Sequence, residues 1–261
     1  FGDGERLPPA GRARVDTIRA ALVSRGPRVR VLNDPRHQLR RRELLAALCA
    51  RGTNRFKAYG IDAPREPMRF PVFVRHVREH TGALSPLLEN ATALEAAIAQ
   101  LMATGHDATD LLIVEYLDTS VDGVFRKYAV LKIGPALLAH HIFFGTEWMV
   151  KGSERPSANR VAEDEAFIAA NPHAAAVAPI FDLAGIDFGR IDYSLLDGQI
   201  QVWEINTVPT ILMHPSYYRP HRIAAKRAFT ARINVALAAL DLGAAPPGLV
   251  QRLASYRDLF R

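Results

Sequence analysis

The spacing of apolar side chains divides the chain into alternating helical and extended segments. Residues 14 to 24 repeat apolar positions at helical intervals, and a short apolar run at 29 to 32, stopped by Asn33-Asp34-Pro35, predicts a strand after that helix. A second helix is expected over 39 to 49, with Leu44, Leu45 and Leu48 as its buried stripe and Gly52 as its stop. Residues 70 to 77 alternate as a strand does, and 92 to 102 read as an amphipathic helix capped by Thr92, with Glu95 three residues on. The run 110 to 117 is apolar enough for a buried strand. Two further strands, 127 to 133 and 137 to 144, flank Gly134-Pro135, and helices are expected at 158 to 170 and 174 to 184. A hairpin spans 188 to 206, and helices at 220 to 240 and 248 to 260 complete the pattern. Strands and helices intersperse without a repeat, which predicts an α/β or α+β fold containing antiparallel hairpins.

Composition narrows the functional classes. With 49% hydrophobic and 23% charged residues, the chain suits a packed core rather than disorder. No apolar run approaches the ~20 residues of a membrane-spanning helix, so no membrane partner is expected. Cys49, the single cysteine, excludes an internal disulfide framework and a multi-cysteine zinc site; it reads as a small core residue. With no charged-then-apolar leader, a cytoplasmic setting is expected. The sequence pI is near 9.7. Residues 1 to 60 hold 14 Lys and Arg against 5 Asp and Glu, so that basicity is an N-terminal feature. Arg fills 28 of the 33 basic positions, a bias that argues for base composition rather than nucleic-acid recognition. Arg40, Arg41 and Arg42, with Arg36, read as a solvated helix face or as a contact for an acidic substrate. His140 and His141 lie on a strand, where neighbours point to opposite faces; one buried and one exposed ring are expected, unable to share a metal.

The richest chemistry lies in residues 189 to 206, GRIDYSLLDGQIQVWEIN, where polar residues interrupt an apolar strand pair. Register decides what they can do. A two-residue Asp197-Gly198 turn would set Asp192 opposite Trp203 and turn Glu204 to the other side. A three-residue loop of Leu196, Asp197 and Gly198, with Gly198 in a G1 bulge, pairs Arg190 with Glu204 and Asp192 with Val202. Arg190, Asp192, Ser194, Glu204 and Asn206 then share one face, leaving Ile191, Tyr193, Leu195, Trp203 and Ile205 for the core. This segregation selects the second register. Two carboxylates and an amide oxygen on rigid strands suit Mg²⁺ bridging a polyphosphate, and Arg190 would bind the same phosphate or an oxyanion.

These residues resemble the ATP-grasp superfamily, which includes D-alanine:D-alanine ligase, glutathione synthetase and the ribosomal-protein glutamate ligases. There an R-x-D strand and an E-x-N strand, followed closely by Pro, hold two Mg²⁺ ions against the ATP phosphates. Arg190-Ile191-Asp192 and Glu204-Ile205-Asn206, with Pro209, match in order and spacing. The resemblance implies an ATP-grasp fold, two α+β subdomains gripping ATP, and a metal set of Asp192, Glu204 and Asn206 for Mg²⁺ or Mn²⁺. It extends over about residues 35 to 245. The run RFPVFVR, residues 69 to 75, is similar to the first lid strand, putting Arg75 where the family places a phosphate-binding Lys. IVEYLD, residues 113 to 118, resembles the hinge, so Glu115, Tyr116 and Leu117 would line the adenine pocket. Asp118 and Asp122 are both candidates for the ribose. Lys127 falls near a position that contacts phosphate or substrate, and Lys151 in MVKG would reach the terminal phosphate.

On this resemblance residues 1 to 35 are a truncated or abbreviated remnant of the domain that precedes the lid, and 36 to 67 a connecting helix and loop. Residues 68 to 116 form the lid and 117 to 261 the core with its metal site. The lid loop, 76 to 86, departs from the family: it holds only Gly82, with His76, Arg78 and His80 in place of small residues, which leaves phosphate contact to side chains. His214 and His221 lie in a Pro- and Tyr-rich segment that reads as a structural turn or a border of the acceptor site. The implied activity is ligation: ATP activates a small-molecule or peptide carboxylate as an acyl phosphate, which an amine attacks. Arg190 and Lys151 would neutralise developing charge. A kinase on the same scaffold, or a basic nucleic-acid-binding domain, are the alternatives, and a homodimer is compatible with each.

Overall fold

Antiparallel pairing organises the chain, seen in a computed structural model that describes residues 1–2, 4–7, 9–27, 29–62, 68–79, 82–151, 157–211 and 223–240. Strands β1 (Ala58–Gly60), β2 (Val72–His76) and β3 (Leu111–Glu115) form one sheet in the order β1-β3-β2. Strands β4 (Phe125–Ile133), β5 (Ala136–Gly145), β6 (Phe188–Leu196) and β7 (Gln199–Asn206) form a second, ordered β5-β4-β6-β7. Every pairing in both is antiparallel, so the fold is α+β.

β-Strand alternation gives the second sheet two different faces. Tyr128, Val130, Ile191, Tyr193, Val202 and Ile205 enter one core, closed by Phe167 of helix α4 (Ala158–Ala170) and by Val177, Ile180 and Phe181 of α5 (Ala174–Ala184). On the opposite face Leu131 and Ile133 are covered by Phe229 and Ile233 of α6 (Ile223–Ala238). That helix covers only part of the face. The three-stranded sheet buries Val72, Val74 and Ile113 against Leu94 and Ile98 of α3 (Ala91–Ala103). Helix α2 (Arg41–Ala50) serves both sheets: Leu44 and Leu48 enter the core of the second, while Leu45 packs with Phe73, Leu112 and Val114 of the first. Each such leucine contributes roughly 1.5–3 kcal/mol by leaving water.

Helices α4 and α5 have the bounds that the pattern predicts, and capping residues set both ends of α4 and the C-terminal end of α5. The Ser157 hydroxyl accepts the Arg160 N–H, and Asn171 stops α4 in the left-handed conformation at φ 45°. Gly185 stops α5 at φ 64°, where a side chain would meet the His37 carbonyl oxygen. The first helix, α1, spans Pro9–Val23. Elsewhere the structure corrects the expectation. Residues 29 to 32 form no strand. Asn33, at φ 56°, uses its amide on the Asp187 and Phe188 backbone, and β6 already has neighbours on both sides, so no strand edge remains there. Helix α3 is capped by Asn90, whose side chain accepts the Ala93 N–H at 3.0 Å, and not by Thr92. Strand β1 had no periodic signal. The expected helix at 248 to 260 lies outside the described residues, as do His80, His214 and His221. Among the described residues no single helix is long and apolar enough to cross a membrane.

Candidate active site

The β6–β7 hairpin turns on two residues. Leu196 pairs with Gln199 across Asp197 (φ 52°) and Gly198 (φ 75°), a turn in which both central residues are left-handed. The expected three-residue loop is therefore absent. The one-face arrangement survives because the ladder slips further along: Tyr193 pairs with Val202 and Asp192 with Glu204, leaving Trp203 as the extra residue of a bulge. Arg190 then faces Asn206. Trp203 leaves the core face predicted for it. Its ring stacks on Phe56 at 4.9 Å and its indole N–H donates to Ser194 Oγ at 3.0 Å. Packing of one indole thus restores the alignment that the tight turn would have lost.

On that face the two carboxylates are held by guanidinium groups. Glu204 Oε2 accepts from Arg75 at 2.7 Å and from Arg41 at 2.8 Å. Arg190 grips Asp192 through both oxygens, at 2.8 and 3.2 Å, and Lys127 Nζ stands 3.9 Å from the same carboxylate. Burial works to lower the Arg190 pKa, but the Asp192 charge and hydrogen bonds outweigh it and raise it. Arg75 comes from β2 of the other sheet, so the cluster spans both. Asn206 Oδ1 accepts the Val208 N–H at 2.8 Å. Among the described residues four cations face these two carboxylates, an excess suited to a multiply charged anion.

Arg41 corrects the sequence reading most sharply. Far from solvated, it is 4% exposed. Its Nη1 donates to the carbonyls of His76, Val77 and Glu79 at 3.0, 2.9 and 2.8 Å, which ties the turn after β2 to Glu204. The signal was present: Arg41, Leu44, Leu45 and Leu48 fall at i, i+3, i+4 and i+7, one helical stripe.

The hinge residues are placed less simply. Glu115 is buried and its carboxylate binds the Lys57 N–H at 3.0 Å, the Tyr59 hydroxyl at 2.9 Å, and the backbone and guanidinium of Arg69. Burial opposes this charge, but the donors prevail and hold its pKa below the ordinary value. Its own amide donates to Lys57 O and that of Tyr116 to Pro71 O, so neither is open to a base. Leu117 lies with Trp148, Met149 and Trp203 in an apolar cluster at the three-stranded sheet. Asp118 closes a small turn by accepting the Ser120 N–H, and Asp122 sits at φ 52° in the tight turn before β4. Lys151 is exposed; its Cε lies 2.9 Å from where a Gly82 side chain would begin. No contact of the described residues brings it to the carboxylates.

Asp192, Glu204 and Asn206 share a face and offer the hard oxygens that Mg²⁺ takes. Among the described residues no group of three or more His, Cys, Asp or Glu gathers as a metal site. The carboxylate oxygens carry guanidinium groups, so this donor set fits a cation that arrives with an anion able to engage those arginines.

No protein-family model matches the chain, and no curated protein does. Solved structures similar to it include the RimK domain protein ATP-grasp from Sphaerobacter thermophilus, at 16% identity and TM-score 0.47, covering 88% of this chain and 77% of that one. A D-alanine–D-alanine ligase from Bacillus anthracis complexed with ATP gives 13% and 0.48 over 87% and 74%. An L-amino acid ligase from Bacillus licheniformis gives 16% and 0.42 over 72% of this chain, which spans only 45% of that protein.

Proposed function

We propose that this chain is an ATP-grasp enzyme that uses ATP and Mg²⁺ to activate a carboxylate as an acyl phosphate for attack by an amine. One observation carries the reading: Arg190, Asp192, Lys127 and Glu204 of one sheet meet Arg75 of the other and Arg41 of α2 on a single face. Arg75, Arg190 and Lys127 bind phosphate oxygens, with Arg75 exchanging Glu204 for the incoming anion. Asp192, Glu204 and Asn206 hold the divalent ion, which when bound offsets phosphate charge. Arg41 keeps Glu204 and the turn at 76 to 79 in place throughout. Leu117 and its aromatic neighbours suit the flat face of a base, Asp118 or Asp122 binds the ribose, and Lys151 closes on the terminal phosphate from the Gly82 side. A lid so tied to the core excludes water from the acyl phosphate.

Thermal unfolding with and without a non-hydrolysable ATP analogue and Mg²⁺ tests the nucleotide site. At about 100-fold over Kd a ligand adds roughly 2.7 kcal/mol, enough to raise the midpoint by several degrees. The wild type should show that rise and Glu204→Gln a smaller one. No rise in the wild type overturns the reading. Phosphate release that needs both a carboxylate and an amine supports ligation, whereas label retained on a hydroxyl product supports a kinase.

A further inference from the structure

A second group of polar side chains lies on the same face, beyond those assigned to nucleotide and metal. A bulge in β5 creates it: Ala129 pairs with His141 and Val130 with Ala139, which leaves His140 as the extra residue. Both rings are buried, 4% and 3% exposed, with centroids 4.5 Å apart. The expectation of one buried and one exposed His fails because strand alternation does not hold across a bulge. His141, Ala129 and Asp192 form one row across the sheet, so His141 faces the site about two strand spacings, roughly 10 Å, from Asp192.

Helix α6 completes the group. His140 stacks on Phe229 at 4.5 Å, and its Nε2 lies 3.2 Å from Lys226 Nζ. Phe229 also packs on Leu131, which pairs with Arg190 across the ladder. The helix therefore sets Lys226, one turn before Phe229, beside His140 at the bulge. Burial first, then His140, Arg190, Lys226 and Lys127, hold His141 well below its ordinary pKa, so it stays neutral at pH 7. Its Nε2 has no hydrogen-bond partner among the described residues, although buried nitrogens are nearly always paired. In the Nε2–H tautomer that nitrogen is a donor in want of an acceptor, and such a donor belongs with positive charge around an anion.

Resting on the ligase reading, we propose that Lys226 and His141, next to Arg190, form the seat of the substrate carboxylate that is to be activated. Lys226 supplies the charge, and the neutral His141 donates its Nε2–H to a carboxylate oxygen. Arg190 is bound to Asp192 and its charge also acts on His141, so a carboxylate held here lies at the edge of the phosphate site, where transfer requires it.

The probe is acetate, titrated at constant ionic strength into the full chain labelled with ¹⁵N-histidine, with and without the ATP analogue and Mg²⁺. His141 side-chain signals are assigned by their loss in His141→Gln. A saturable shift of those signals is expected, weakened about tenfold or more in Lys226→Met and recovered in Lys226→Arg. Chloride in place of acetate should give no shift. The assignment is overturned if acetate leaves His141 unmoved in both conditions, or if Lys226→Met responds as the wild type does. Titrating the analogue alone into the wild type reports on the nucleotide reading separately. Analogue binding without an acetate response sinks the carboxylate seat only; an acetate response without analogue binding sinks the ligase reading and leaves an anion site.

Discussion

Arg41→Met removes a side chain that joins α2, the turn after β2 and the Glu204 carboxylate. Breaking a buried ion pair from one side costs about 3–5 kcal/mol, because the remaining charge loses its partner. Two features place this case at the low end. Glu204 keeps Arg75 at 2.7 Å. His76 and Val77 are half-buried and Glu79 is exposed, so water is expected to replace the donors that their carbonyls lose. A loss of about 3 kcal/mol follows, or roughly 6–12 °C in midpoint for a chain of this size. Urea unfolding of the wild type, Arg41→Met, Glu204→Gln and the double variant measures it. Since both residues share one network, the single losses should exceed the double loss by about 0.5–3 kcal/mol. Arg41→Lys should recover little, because an ammonium cannot span three carbonyls and a carboxylate as the planar fork does. A loss below about 1 kcal/mol, or additive single effects, would refute the reasoning.

Other consequences are open to measurement. Glu115→Gln leaves the Lys57, Tyr59 and Arg69 donors facing a neutral amide and should cost about 2 kcal/mol in denaturant unfolding, moderated because Arg69 is largely exposed; an unchanged midpoint would mean that the hub contributes nothing. His76, His141 and His173 are each held below the ordinary histidine pKa, chiefly by burial. The unfolded chain therefore binds more protons near pH 6, so stability should rise with pH through that region and level off above about pH 7. His141→Gln should flatten the slope of urea midpoint against pH, and an unaltered slope would count against its buried neutrality. Gly198→Ala forces a side chain to φ 75° in open space, so about 1 kcal/mol should be lost through conformation alone, with the nucleotide response retained.

The periodic pattern was sufficient for most elements, and for α4 and α5 it located both ends; hydroxyl, Asn and Gly signals mark the two ends of α4 and the last turn of α5. It was also sufficient to bring Arg190, Asp192, Glu204 and Asn206 to one face, because apolar residues between them claimed the other. It misjudged the register that achieves this, and it misjudged His140 and His141 for the same cause. A bulge breaks the period of two, and whether one forms depends on what the extra residue packs against: Phe56 for Trp203, Phe229 for His140.

The sequence by itself determined which residues can lie on the buried stripe of each helix and which share a strand face, because 3.6- and 2-residue periods are properties of the local backbone. Even Arg41 was readable there, one turn before Leu44 and Leu45, where its charge argued falsely for solvent. Only the tertiary structure decided that this charge could be buried, since its compensation comes from Glu204, 163 residues away, and from carbonyls of a turn on the other sheet. The partners of a buried charge, and the contacts that pin a bulge, are long-range facts that local periodicity does not record.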